Sequence, residues 1–151
     1  MAFDTSGIER GPDGIARYTD RPASLVAMLR ATVDRVGDRE GVVELGAERI
    51  TYAQLWDRAA RVAGGLKGAG VGAGDRVAIR LGNGADWVIA FWGVQLLGAV
   101  VVPVNTRFAS SEVTYVLEDS GASFVFEDGN ALPDGDPVRL QPAGDACRAV
   151  P

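Results

Sequence analysis

Residues Ile50 to Asp128 read ITYAQLWDRAARVAGGLKGAGVGAGDRVAIRLGNGADWVIAFWGVQLLGAVVVPVNTRFASSEVTYVLEDSGASFVFED, and the order of their apolar patterns decides the fold. Thr51 and Gln54 form T-x-x-Q, the reciprocal pair that opens a helix by answering two otherwise unpaired backbone donors. Leu55, Ala59, Val62 and Leu66 follow at helical spacing. Gly64 and Gly65 cost a helix about 1 kcal/mol each relative to Ala, and are expected to allow close packing against a neighbour. Gly70 is a natural stop. Arg76 to Leu81 alternates, with Val77, Ile79 and Leu81 on one side, and predicts a strand. Asn83 is expected to cap the next helix, with Asp86 in its first turn, where the helix dipole favours an anion. That helix runs to about Leu97. Ala99 to Val104 is β-branched without interruption and suits a strand buried on both faces. A loop over 105–109 follows. Ser110 is expected to cap a helix through Asp119, with Val113, Val116 and Leu117 inward and Gly121 at its end. Ser123 to Glu127 predicts a third strand. Strand, helix, strand, helix, strand implies two right-handed crossovers and a parallel sheet.

Outward from this core the signals weaken. A helix is predicted from about Pro22 to Val36, with Leu25, Leu29, Val33 and Val36 on one face. Val42 to Leu45 and Arg49 to Thr51, around a turn at Gly46 and Ala47, predict a small hairpin. Residues 1–20 read as an irregular arm, and 129–151 as a loose tail rich in Gly and Pro. The expected fold is therefore α/β: a parallel βαβαβ core with an additional N-terminal helix and small hairpin, forming one subdomain over 21–128.

Composition narrows the function. With 20 acidic against 15 basic residues, a net charge of −5 and a single lysine, Lys67, the chain does not predict a nucleic-acid surface. It has no histidine, which removes the commonest general base and the commonest metal ligand together. The single cysteine, Cys147, allows no internal disulfide and no CxxC site, and a cytoplasmic setting is expected. Trp87 to Val104 is an uncharged run of 18 residues, near the lower limit for a membrane span. Gln95, Gly98 and Pro103 break it, so the reading is a buried helix followed by a buried strand.

The glycines do not make a nucleotide loop. GAGVGAGD, residues 68 to 75, fits G-x-G-x-x-G in no register and precedes a strand instead of following one. GNGADW is better placed but lacks the third glycine, and no G-x-x-x-x-G-K-[ST] is present. No serine lies in G-x-S-x-G. The pairs Glu118/Asp119 and Glu127/Asp128 fall at element ends, where carboxylates are solvated, and Trp87, Phe91 and Trp92 read as core filling. No catalytic residue and no metal ligand is predicted. Arg107 is the one candidate for binding. It lies in VPVNTRFASS, the loop that leaves the carboxyl end of a parallel strand, where ligands of open α/β sheets gather. A helix start at Ser110 would add backbone donors for an anion, and an arginine can grip phosphate with two parallel hydrogen bonds. The alternative is a solvated arginine, or one paired with Glu112.

The ordered landmarks ITYAQL, GDRVAI, LGAVVVPVN, LEDSGA and the strand after it resemble the N-terminal part of the adenylate-forming, AMP-binding enzymes: acyl-CoA synthetases, peptide-synthetase adenylation domains and luciferases. VNTR is most similar to the acyl-CoA synthetases. The resemblance implies a parent reaction in which a carboxylic acid and ATP give an acyl-adenylate, after which CoA displaces AMP, with Mg2+ serving the ATP step. It also implies that Arg107 lies near the phosphates of CoA. The family's phosphate loop, its later acidic motifs and its C-terminal lid with the catalytic lysine are not among these residues, so no adenylation is expected of this chain alone. The expectation is a partial acyl-CoA synthetase that self-associates or pairs with a missing C-terminal part. The competing expectations are a stand-alone, non-catalytic module binding CoA, a nucleotide or a protein partner, and an unrelated nucleotide-binding protein.

Overall fold

The computed structural model of this chain describes residues 5–137. Its elements are β1 (Ile8–Arg10), β2 (Ala16–Tyr18), α1 (Leu25–Val36), β3 (Glu40–Val43), β4 (Arg49–Thr51), α2 (Tyr52–Gly68), β5 (Arg76–Arg80), α3 (Ala85–Leu97), β6 (Val100–Pro103), α4 (Ser110–Ser120) and β7 (Phe124–Glu127). The last three strands form a parallel sheet in the order β6-β5-β7. The chain therefore leaves β5 to one side through α3, then crosses back past β5 through α4. Two right-handed crossovers in opposite directions put α3 and α4 on opposite faces of the sheet.

Strand alternation divides the core accordingly. Val77, Ile79 and Phe126 are buried on the α2/α3 side with Leu55, Val62, Leu66, Ile89 and Val94. Ala78 faces the other way and is buried with Val104 and Val113, while Val102, Val116, Leu117 and Val125 pack partly buried around them. Trp87, Phe91 and Trp92 pack against the larger cluster, with Trp87 stacked on Phe91 at 5.6 Å between ring centres. α3 has only 13 residues, and among the described residues no helix is long and apolar enough to cross a membrane.

The expected capping box of α2 is present: the Thr51 hydroxyl accepts from Gln54 N at 3.2 Å, and Gln54 Oε1 accepts from Thr51 N at 2.9 Å. Other caps differ from expectation. α1 begins at Leu25 because Ser24 Oγ accepts from Ala27 N at 3.0 Å. Asn83 does not cap α3. Gly84 holds that position, and the Glu44 carboxylate, arriving from the turn after β3, accepts from Ala85 N at 3.1 Å. Ser110 does not cap α4 but is its first residue; Ala109 precedes it, and Glu112 Oε2 accepts from Ala109 N at 2.8 Å.

The close approach of α2 and α3 is made by Gly93. A Cβ there would stand 2.6 Å from Val62 Cγ1 and 3.2 Å from Ala59 O. Gly64 and Gly65 serve a different neighbour. After β7 the chain returns across α2, and a Cβ on Gly65 would come within 2.7 Å of Pro133, while one on Gly64 would collide with the Asp136 carbonyl. Leu132 packs on the main core. The described part of the segment predicted as a loose tail thus lies along α2, held by backbone contacts that only small residues admit; Cys147 lies outside the described residues. The arm predicted as irregular carries an antiparallel ladder of β1 and β2, with Ile8 opposite Tyr18. Its turn is fastened by Asp13 and Arg17 at 2.5 Å. The Arg17 guanidinium, helped by the Ile15 amide, lowers the Asp13 carboxyl to about 2. The second hairpin pairs β3 with β4, two residues earlier than expected on its first strand.

Candidate functional site at the carboxyl ends of the sheet

The carboxyl ends of β5, β6 and β7 open at one end of the sheet, onto residues 81–84, 104–109 and 128. β5 and β6 are neighbours whose following helices depart to opposite faces, so their loops diverge. This is the place where open parallel sheets bind ligands.

Arg107 stands on one wall of this mouth. Its loop is pinned on both sides. Asn105 Oδ1 accepts from Arg107 N at 2.9 Å, and Phe108 N donates to Asn105 O at 3.1 Å, closing a tight turn. Phe108 is half-buried beside the Ala78, Val104 and Val113 cluster. The backbone of Arg107 is therefore fixed while its side chain is exposed. Among the described residues Arg107 makes no ion pair, and Glu112 is engaged at Ala109 N instead. The turn could have been read from N-x-R-F, since an Asn side chain often accepts from the amide two residues on.

The other charges at the mouth answer one another. Arg80 Nη1 is 3.4 Å from Glu127 Oε1, and Asp128 Oδ1 accepts from Gly82 N at 2.9 Å, tying the ends of β5 and β7 together. Glu127 and Asp128 are thus ties between strand ends rather than a catalytic pair. Glu44 and Glu112 stand at the starts of α3 and α4. An anion approaching either helix start meets a carboxylate, so the backbone donors expected at Ser110 are not a free anion site. Among the described residues Arg107 is left as the unpaired cation of the mouth. Beside it, Phe108, Ser111, Glu112, Tyr115 and Val116 line an open groove of about 380 Å³ on α4. Lys67 ends α2, which leads into the amino end of β5, and so lies away from the mouth. No group of three or more His, Cys, Asp or Glu side chains among the described residues is arranged to hold a metal ion.

A parallel three-layered α/β module with its open mouth at the carboxyl ends of the strands is the class this geometry defines. Comparison with known proteins narrows it. A family model described as AMP-binding enzyme matches residues 29–147. The chain belongs to that family. It is similar to the long-chain-fatty-acid–CoA ligase FadD13 of Mycobacterium tuberculosis, 42% identical over 93 residues that make up 62% of this chain and 18% of the ligase. A 3-[(3aS,4S,7aS)-7a-methyl-1,5-dioxo-octahydro-1H-inden-4-yl]propanoyl:CoA ligase of Rhodococcus jostii is 32% identical over 114 residues, 76% of this chain and 22% of that protein. Among solved structures, the N-terminal domain of FACL13 from M. tuberculosis superposes with a TM-score of 0.64 at 40% identity, covering 66% of this chain and 26% of that one. The Klebsiella oxytoca NpsA N-terminal subdomain in complex with anthranilyl-AMSN gives 0.68 at 25% identity, covering 72% and 28%. The chain spans about a fifth of the length of the curated relatives it matches.

Proposed function

We propose that this chain forms the first part of an AMP-forming acid–thiol ligase of the acyl-CoA synthetase type. In the whole ligase a carboxylic acid would be activated with ATP and passed to CoA. The observation that carries this reading is the family match over 29–147, which spans α2 through β7 and the Arg107 loop. The finer assignment, to acyl-CoA formation, is supported by the ligases at 32% and 42% identity.

In this reading Arg107 contributes a fixed cation toward the phosphates of CoA. The fit is physical: its loop is anchored by Asn105 and Phe108, its guanidinium makes no ion pair among the described residues, and a charged two-pronged contact to phosphate adds about 1.5–3 kcal/mol. The described residues do not fit magnesium or the ATP phosphates equally well. Their carboxylates are dispersed or tied to backbone amides, and Lys67 is remote from the mouth. Acid activation is therefore assigned to the rest of the ligase, and this chain alone should give no ATP–pyrophosphate exchange with any carboxylic acid.

The test is a chimera in which residues 29–128 replace the matched segment of the fatty-acid ligase relative. Thioester formation from a fatty acid, ATP and CoA should be retained. A folded chimera that adenylates no acid overturns the reading. Within it, Arg107→Ala should raise the KM for CoA at least about tenfold with little change for ATP. An unchanged KM for CoA would remove Arg107 from the site.

A further inference from the structure

The first hairpin stands away from the rest of the fold. Of residues 5–25 only Ile8 and Gly11 are even partly covered, and 12–25 are exposed without a break. Ile15 and Tyr18 keep 57% and 66% of their surface in water. The family match begins at residue 29, so this arm lies outside the matched residues. A two-stranded ladder by itself is marginally stable in water, and further strands are what secure it. A strand edge has to be open for that. Thr19 N donates to Gly7 O at 2.9 Å and Gly11 N to Ile15 O at 3.0 Å. Bonded pairs alternate along an antiparallel ladder, so Glu9 and Arg17 also bond inward, while Ile8, Arg10, Ala16 and Tyr18 turn their backbones outward. On β1 the Ile8 amide is already taken, by Thr5 O at 3.1 Å. On β2 no described residue accepts from Ala16 N or Tyr18 N, and β2 is the open edge.

Charge decides what can lie against it. Within 5–21, Glu9, Asp13 and Asp20 balance Arg10, Arg17 and Arg21, so the arm is neutral and the chain's net charge of −5 resides outside it. Two copies therefore repel through their bodies and meet without repulsion through their arms. β2 is also complementary to itself. In an antiparallel pair about a two-fold axis at Arg17, the outward amide and carbonyl of Ala16 meet those of Tyr18 in the other copy. Tyr18 then lies across from Ala16, a large side chain beside a small one. The two Arg17 side chains fall opposite each other, but each is bound to its own Asp13, so no bare like charges face one another.

We infer that the outer edge of β2 is a self-association edge, on which a second copy of this chain lays its own β2 antiparallel and the two hairpins join into one four-stranded sheet. The pairing goes beyond the ligase reading and does not depend on it. Its test is the mass of this chain by light scattering from about 10 µM to about 1 mM, with amide exchange at both ends of that range. The mass should double at the upper end, and exchange at Ala16 and Tyr18 should slow at least about threefold there while Arg10 is unchanged. Ala16→Pro removes an outward donor that the hairpin itself does not use, and should hold the chain as a single copy. Arg10→Pro makes the same change on β1, and should still double in mass. The Ile15 amide, bonded to Asp13 Oδ1 at 3.1 Å in the intact turn, reports that each variant keeps its hairpin. A single-copy mass at every concentration up to about 1 mM overturns the inference. So does a doubled mass that Ala16→Pro leaves intact, which moves the contact to another face. Protection at Arg10 in place of Ala16 and Tyr18, or loss of doubling in both proline variants, equally removes β2 as the edge.

Discussion

The two faces of the β6-β5-β7 sheet are finished to different degrees. On one, Val77 and Ile79 are wholly buried beneath two helices. On the other, α4 alone covers Ala78, and Val102, Val116, Leu117 and Val125 remain half-buried around it. One helix is about 10 Å across, while three strands at about 4.8 Å spacing are wider. The difference teaches that the stability of this chain resides in the α2/α3 layer, and that the α4 layer, which carries the Arg107 loop, is held more loosely.

Substitutions can break this contrast. Ile79→Ala empties the middle of the finished face and should cost about 2–5 kcal/mol in urea unfolding. A loss below about 1 kcal/mol would place the core elsewhere. Gly93→Val should follow at about 1–3 kcal/mol, since its side chain enters the space of Val62. Adding Val62→Ala should recover part of that loss; if recovery is nil, the helices do not meet at this point. A matched pair then measures the contrast itself. Val77→Ala should cost about 2–3 kcal/mol and Val113→Ala about 1 kcal/mol, because the α4 site borders solvent and its cavity can relax. Equal losses would show that the two faces are equally packed.

The smallest expected effect lies outside both faces, in the β1–β2 hairpin. The folded Asp13 carboxyl sits at about 2 against an ordinary 3.8, so its contribution is complete above about pH 4 and is lost as pH falls through 2. Because the pair is exposed, only local fraying is expected. Amide shifts of Ile15 and Arg17 should move over that interval while the α2/α3 core stays fixed; shifts that stay flat would remove the ion pair.

Long periodic elements are legible from the residues: α2, α3 and the three parallel strands lie where apolar spacing puts them, but β6, expected to be buried on both faces, is an edge strand with Val100 50% exposed, because no further strand among the described residues covers it. Elements without a buried face are not legible. IER and ARY in the first hairpin are too short and exposed to alternate, so their ladder left no trace. The caps of α3 and α4 were misread for another reason. Asn83 and Ser110 are good local candidates, but Glu44 takes the Ala85 amide across 41 residues, and Ala109 precedes Ser110 with its own amide held by Glu112 from the third helical position. Gly64 and Gly65 announced a close neighbour without naming it, because the neighbour is backbone from 133–136. The place of Arg107 beyond the carboxyl end of β6 follows from strand polarity; that Glu112 turns to Ala109 N instead of to Arg107 is set by the cap of α4, which the residues alone do not reveal.

The carboxylate that Glu44 sends to α3 has a consequence for the order of assembly. The opening turn of that helix is completed by a group 41 residues upstream, so the Ala85 amide gains its side-chain partner only when the β3–β4 turn has docked. Most helices take their cap from a neighbour in the chain; this one takes it from a distant segment, so Glu44→Gln, which weakens that cap, should speed amide exchange at Ala85 more than at the middle of α3.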